Sequence, residues 1–600
     1  MSRSPIVWGA GLSIALDSVP AVVLPPAFVA AIPSVLHHIL PDDSSPKRLS
    51  SFVELSIITR LALALLTLAI LRMILGEYQR NYDRKQFDSN VVEVPRVKLK
   101  WPFNLDFIPF DMKIMRNGYC GATWEVLIAK YGNLFNLRLL EQDFILTVEP
   151  EAVKSVLTTD FHSYEKGSDI RGLMFSVLGR GVFNSDGETW RFHRSMSRPY
   201  FSRDRISHFE NFARHADAAI SKLLSRMAEP NCPAVDFQDL ACRFTLDSGT
   251  EFLFGRDVHS LDVSLPYPHQ EPKDDSASFG AAFARAQKHV THRLGLPVLW
   301  PWMELFWDRT ADDMKIINAY VAPILAKQQK STSDASSEGP KPTNKSGQDL
   351  RDTLLDHLFE LTSDEIVVRD EIINILVAAR DTTATTLTFA VYMLSQNPEI
   401  IAKLKDEITG RLGTSSYPTT EDLKEMKYLR AFLNETLRLF PPVPMNSRAA
   451  VKSTVLKVKE KSYFVPVGTR IIWSTLLMHR RKDLWGPDAD DFDPDRWLDG
   501  RFRKYVMSNP FIFLPFNAGP RICLGQQFAY NEASFFLCRL LQRIDSVELA
   551  PDAQPKETLP PSEWKNGTGR QVYEKVWPKH HLTLYSDGGL WLRMKEAEFA

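Results

Sequence analysis

Between Ser56 and Leu75 the chain reads SIITRLALALLTLAILRMIL, twenty residues carrying only two charges, Arg60 and Arg72. At 1.5 Å per residue, a helix of this length covers the ~30 Å hydrocarbon core of a bilayer. Its apolar residues run all round the helix rather than along one stripe, which is the pattern of a span. The two arginines lie near its ends, where long side chains reach the headgroups. The competing reading is a helix buried in a soluble core. An earlier apolar run, Ala21–Leu40, contains Pro25, Pro26, Pro33, His37 and His38. It reads equally as a second span, a re-entrant segment or a surface element. The stronger run begins too late, and is flanked by arginine rather than small residues, for a cleaved signal peptide. Arg80, Arg84, Lys85, Arg96, Lys98 and Lys100 follow it, which by the positive-inside rule places the remainder on the cytosolic side. The chain therefore divides into a hydrophobic membrane-anchor region, 1–76, with its span at about 56–75, and one large domain, 77–600.

The 600 residues are 44% hydrophobic and 24% charged, enough apolar material for a large core. Lys and Arg number 72 against 73 Asp and Glu, without the basic surplus of a dedicated nucleic-acid binder, so no nucleic-acid partner is expected. Cys120, Cys232, Cys242, Cys523 and Cys538 are scattered, with no C-x-x-C pair. Neither a disulfide framework nor a zinc site is indicated, and a reduced, cytosol-facing chain is expected. From Tyr119 onward the pattern is mainly helical. Leu134–Leu140 and Asp143–Val148 read as two strands, followed by a helix at Pro150–Leu157. Residues 205–225, 350–361, 365–395 and 421–439 carry helical spacing. Ser331–Asp349 has almost no apolar residue and reads as a solvated loop.

The residues richest in chemistry are Phe516-Asn517-Ala518-Gly519-Pro520-Arg521-Ile522-Cys523-Leu524-Gly525. Glycines permit a tight loop around a sulfur, whose peptide N–H groups can donate to it. Such donation, with a nearby arginine, favours thiolate over thiol. A thiolate is also the ligand that pushes electron density onto heme iron.

This loop resembles the signature of the cytochrome P450 heme-thiolate monooxygenases, and further motifs follow in the family's order. Glu435-Thr436-Leu437-Arg438 matches its E-x-x-R, and Phe492-Asp493-Pro494-Asp495-Arg496-Trp497 its Pro-x-Arg segment. The resemblance implies a buried carboxylate–guanidinium network of Glu435, Arg438 and Arg496, structural rather than catalytic. Trp190-Arg191-Phe192-His193-Arg194 matches the W-x-x-x-R helix. By the resemblance, Trp190, Arg194, Arg448 and Arg521 meet the heme propionates, and Cys523 ligates the iron.

The stretch Ile375-Leu376-Val377-Ala378-Ala379-Arg380-Asp381-Thr382-Thr383 matches the oxygen-activation helix. An acid and a threonine deep in an apolar helix are costly unless functional or locally bonded. The resemblance makes Thr382 the hydroxyl that orders water beside the oxygen site and Asp381 the acid that helps relay protons. The alternative is a threonine that merely bonds back to the Ala378 carbonyl. Ala379 stands where the family usually has glycine, and its methyl is expected to narrow the oxygen groove.

Phe183–Trp190, Ala378–Ala384 and Phe513–Ala529 resemble the fungal branch that hydroxylates n-alkanes and long-chain fatty acids, with basidiomycete relatives that also oxidise polycyclic aromatics. The resemblance implies a mainly α fold with small β-sheets. It also implies heme b (iron protoporphyrin IX), bound non-covalently because Ala378 stands where some animal fatty-acid hydroxylases carry a carboxylate that esterifies it. Electrons would come from NADPH through a separate NADPH–cytochrome P450 reductase, a flavoprotein, with cytochrome b5 as a further donor. The reductase would dock at the basic run Arg191, Arg198, Arg203 and Arg205. The protein would sit in the endoplasmic reticulum membrane with its catalytic domain facing the cytosol. The expected reaction inserts one oxygen atom of O2 into C–H bonds of hydrophobic substrates, terminal and near-terminal on long chains. Broad xenobiotic hydroxylation is the alternative within the family. A heme-thiolate isomerase or dehydratase commonly loses the acid–threonine pair retained here, and a heme sensor needs no proton relay. Candidate pocket residues are Leu173, Met174, Phe175, Val177, Leu178, Ile375, Ala378, Ala379, Val443, Met445 and the turn from Leu584 to Leu590.

Overall fold

The computed structural model describes residues 57–201, 209–270, 279–296, 300–335 and 353–598. The run Ala21–Leu40, the basic residues Arg203 and Arg205, and most of the polar stretch 331–349 lie outside them. The first described helix, α1 (Ile57–Arg84), is continuous over 28 residues and does not stop at residue 76. It is long and apolar enough to cross a membrane. Leu65, Leu66, Ile70, Leu71, Ile74 and Leu75 are exposed, an arrangement that water penalises. Its last turns are polar and dock on the body. Buried Arg80 pairs with Asp143 at 2.9 Å and with Glu93 at 3.1 Å. Glu77 pairs with Arg138.

The body is mainly helical with small sheets, as expected. Its functional helices are α2 (Gly187–Ser197), α3 (Phe237–Phe254), α4 (Phe279–Gly295), α5 (Glu365–Gln396), α6 (Lys427–Leu439) and α7 (Gln526–Arg543). The largest sheet joins β1 (Leu134–Leu139), β2 (Gln142–Thr147), β3 (Tyr164–Glu165), β4 (Met445–Ala450) and β5 (Arg470–Ser474) in the order β1-β2-β5-β4-β3. Only β2 and β5 run parallel within it. A separate hairpin pairs β6 (Pro578–His580) with β7 (Leu584–Ser586).

The central helix α5 spans 32 residues, about 48 Å. The Asp364 carboxylate starts it by accepting from the Ile366 N–H at 2.9 Å, and Asn397-Pro398 ends it. It is buried nearly all round, between α3, α6 and α7. Phe389 stacks on Phe440 with centroids 4.4 Å apart, and Phe244 meets Phe536 at 4.7 Å. Each such ring contributes ~2–3 kcal/mol of burial.

Three element boundaries differ from expectation. Residues 421–439 form two helices, because a Thr419–Asp422 capping box starts a short one and Met426 (ψ 82) breaks it. The Glu407 carboxylate then takes the N–H groups of Tyr428 and Leu429 at 2.9 and 2.8 Å, capping α6 from outside. The helix expected at Pro150–Leu157 changes to π geometry at Ser155–Thr159. The helix Ala311–Ala335 extends into the stretch read as loop.

Candidate heme-thiolate site

The cysteine loop closes on its own backbone. The Cys523 N–H donates to the Phe516 carbonyl and the Ile522 N–H to the Gly519 carbonyl, both at 3.0 Å. Asn517 (φ 64) and Gly519 (φ 70) adopt left-handed conformations. A Cβ at Gly519 would stand 1.9 Å from the Leu157 carbonyl oxygen, so the π turn packs where only glycine fits. Gly525 has an ordinary φ of −83, and its N–H rather than its flexibility matters, since it donates to the Cys523 sulfur.

Cys523 is exposed while the other four cysteines are buried or half-buried. Surrounding protein pushes its thiol above the ordinary value, and the Gly525 N–H and Arg194 only partly offset this. Both of those groups favour thiolate, as the loop sequence implies, and a coordinating metal deprotonates such a sulfur outright. Burial pushes Cys120 and Cys242 up to about 12, as expected of inert core thiols.

Trp190, Arg194, Arg448 and Arg521 converge on one side of this loop. Arg194 donates from Nη2 to the Ile522 carbonyl at 2.8 Å. Arg521 lies 4.4 Å over the Trp190 ring and pairs with Asp186 at 2.7 Å, leaving its Nε buried without a partner. Arg448 is buried and, among the described residues, bonds only its own strand, the Ser447 carbonyl at 2.7 Å and Asn446 Oδ1 at 3.1 Å. Burial and Arg521 push the Arg448 guanidinium down to about 9. Burial, Arg448 and Arg521 push Lys166 down to about 7, against the opposing pull of Asp186. The cluster thus holds more positive charge than Asp186 balances, which fits a planar group bearing two carboxylates. Lys166 belongs to this cradle and no sequence motif marks it.

Beneath the loop, Glu435, Arg438 and Arg496 form the expected network, all at most 1% exposed. Arg438 grips Glu435 with two bonds of 2.8 Å, and Arg496 approaches it at 3.4 Å. The Trp497 indole N–H donates to Glu435 at 3.0 Å, and the spare Arg438 nitrogens reach the carbonyls of His479, Ala489 and Asp491. Burial works against the Glu435 carboxylate, yet Arg438 and Arg496 hold it below the usual range. His479, unmarked in the sequence, accepts the Leu514 N–H on Nε2 at 2.9 Å, so its Nδ1 carries the proton toward the Arg438 carbonyl at 3.2 Å. It joins the network to the start of the cysteine loop. Burial and the nearby Arg438 push it down to about 3, so it stays neutral.

On α5, Val377, Ala378, Ala379 and Thr382 are only half-buried, whereas Ile372–Leu376 and Thr383–Leu394 are buried. The Thr382 hydroxyl donates to the Ala378 carbonyl at 2.6 Å. Asp381 accepts from Gln287 of α4 at 2.6 Å and pairs with Arg380 at 3.1 Å. Neither residue hydrogen-bonds the cysteine loop among the described residues. The Ala379 methyl lies 3.6 Å from where a Cβ on Gly249 would stand, so it is turned toward α3, where a glycine leaves room. The expected narrowing of the groove by this methyl is thereby relieved. Earlier on α5, Asp370, Glu371 and Asn374 accept the N–H groups of Arg180, Val182 and Phe183 at 2.8, 2.9 and 2.9 Å. They fix the loop that leads into α2. Buried polar residues at this spacing in an apolar helix were the available signal.

Of the candidate pocket residues, Leu173, Val177, Leu178, Leu584 and Leu590 are packed in the core, while Met174, Val443 and Met445 remain half-buried. In the basic run, Arg191 is paired with Glu188 at the surface and Arg198 is exposed.

An exposed sulfur in a closed loop beside a basic cradle fits heme iron bound through sulfur. The family model described as Cytochrome P450 matches residues 101–570, and the chain belongs to that family. It is similar to the cytochrome P450 monooxygenase himC of Aspergillus japonicus, 33% identical over 98% of both chains. Cytochrome P450 52A10 of Candida maltosa is 38% identical over 70% of this chain and 79% of its own. Cytochrome P450 52A6 of Candida tropicalis is 35% identical over 80% and 88% respectively. The chain is a heme-thiolate monooxygenase of hydrophobic substrates.

Proposed function

We propose that this monooxygenase hydroxylates long-chain alkanes and fatty acids at and near the chain terminus. One observation carries the reading: the half-buried window of Val377, Ala378, Ala379 and Thr382 within the buried middle of an apolar helix. Its side chains are apolar apart from a single hydroxyl, which suits a slender apolar chain. The similarity to two Candida cytochromes P450 of the 52 group supports the same substrate class. A terminal methyl is harder to attack than the adjacent methylene, whose C–H bond is weaker. With Ala378 small and the Ala379 methyl turned toward α3, the fit is loose, so attack spreads one or two carbons inward.

Cys523 is the residue that would ligate the iron, and Lys166, Arg194, Arg448, Arg521 and Trp190 would hold the carboxylates and ring edge of the porphyrin. When bound, the heme supplies the redox chemistry that activates dioxygen. The protein's own part is positional. The Thr382 hydroxyl, having donated to Ala378, keeps its lone pairs free to accept from a water at the substrate window. Asp381, held by Gln287 and Arg380, is the acid that returns protons to that water. Electrons come from NADPH through a separate flavoprotein reductase, steered by exposed basic residues such as Arg198, with cytochrome b5 as a further donor. α1 anchors the protein in the endoplasmic reticulum membrane, with the catalytic domain, 77–600, in the cytosol.

The test is product analysis with reductase and NADPH on a saturated twelve- to eighteen-carbon acid and on a flat polycyclic aromatic. Mixed terminal and near-terminal alcohols are expected from the acid. Turnover of the aromatic alone would replace this reading with a xenobiotic one. In Thr382→Ala, product per NADPH consumed should fall, the remainder leaving as hydrogen peroxide. An unchanged ratio would reduce Thr382 to a packed helix residue.

A further inference from the structure

Two elements touch α5 on either side of Thr382. α4 does so through Gln287, which bonds Asp381. The β6–β7 hairpin does so through the Leu584 carbonyl, which accepts the Thr385 hydroxyl at 2.7 Å. Next to Gln287 stands Lys288, and one turn later His292; both are exposed and on one face of α4. Neither side chain makes a hydrogen bond or an ion pair among the described residues. Close enough to feel the charge of both is His581 at the hairpin tip, three residues and at most about 10 Å of chain from Leu584. Its ring is stacked on Tyr585 with centroids 4.3 Å apart.

Around His581 itself the cationic groups outnumber the acids. Burial, then Lys288, His580 and His292, push His581 down to about 4. Asp587 opposes them, and it is already paired with Lys579 at 2.5 Å. A neutral His581 keeps an N–H to donate, and Lys288 brings an unspent charge. The adjoining Leu582 packs against the apolar cluster that includes Ile375 of α5. The corner therefore suits a ligand with one small anionic head on an apolar body.

We propose that Lys288, with His292 and His581, is the subsite that binds the carboxylate of a long-chain fatty acid, so that the chain runs from this corner along α5 toward the Thr382 window. The proposal rests on the long-chain reading above and narrows it: the acid, not the alkane, is the preferred ligand. The Lys288 ammonium pairs with one carboxylate oxygen and the His581 N–H donates to the other.

The test is a heme-absorbance titration of the holoenzyme with a saturated fatty acid, its methyl ester and the alkane of equal length. Lys288→Ala, at an exposed helix position, should weaken the acid about tenfold and leave ester and alkane unchanged. Lys288→Glu should exclude the acid while both neutral ligands still bind, and Lys288→Arg should restore it. Acid binding unchanged in Lys288→Ala and Lys288→Glu, or an equal loss for acid and ester, would overturn the subsite while leaving the long-chain reading intact. If none of the three ligands perturbs the unaltered protein, the long-chain reading itself fails and the subsite with it.

Discussion

The Arg194 guanidinium donates to the carbonyl of Ile522 at 2.8 Å, so α2 is tied to the peptide immediately before Cys523. One side chain thus serves two tasks, bracing the cysteine loop and placing positive charge near the sulfur. Arg194→Ala should loosen the loop by about 1–2 kcal/mol and raise the share of protonated thiol. The readout is the reduced, CO-bound spectrum during mild heating: the long-wavelength thiolate band should convert earlier to the short-wavelength thiol form. Arg194→Lys, which keeps the charge, should restore part of the difference. Equal conversion temperatures in all three proteins would refute the bracing role.

Gly519 separates backbone strain from steric contact. Gly468 also has a positive φ, of 77, but nothing within 4 Å of its Cβ position, so Gly468→Ala should cost about 1 kcal/mol. Gly519→Ala adds a collision with the Leu157 carbonyl oxygen and should cost clearly more. Thermal unfolding of the two variants checks this, and equal losses would show that the loop can move off the π turn.

Glu435 gives a pH dependence with a definite sign. Its carboxylate is held below the ordinary glutamate value of 4.5 in the folded protein, where Arg438 and Arg496 outweigh burial. Its contribution is therefore fully present above about pH 4.5 and is lost as pH falls through the lower, folded value. Glu435→Gln should cost about 3–5 kcal/mol near neutrality, because two guanidiniums stay buried with their partner gone. The variant should also lose stability less steeply than the parent protein below pH 4.5. Urea midpoints measured between pH 3 and 7 decide it, and parallel curves would contradict the assignment.

The residues that sequence reasoning found are those whose chemistry is written in local spacing. Glu435 and Arg438 share a helix face, Trp190 and Arg194 are one turn apart, and the cysteine loop is contiguous. Residues recruited across the fold were not legible. Lys166 joins the cradle only because β3 and β4 lie side by side, bringing it near Arg448. His479 matters because its two ring nitrogens meet carbonyl and N–H groups dozens of residues away. The room that Gly249 gives Ala379 depends on the packing of α3 on α5, which no single sequence displays. The break at Met426 was missed because periodicity continues through it, while the cap that restarts α6 comes from Glu407 on another helix.

The central claim is that Cys523 alone ligates the heme, and the CO difference spectrum of the reduced protein tests it directly. Cys523→Ala should abolish the long-wavelength band of thiolate ligation. Cys120→Ala, Cys232→Ala, Cys242→Ala and Cys538→Ala should each keep it, since those thiols are buried or half-buried away from the loop. A band that survives in Cys523→Ala, or disappears in one of the other four, would contradict the account.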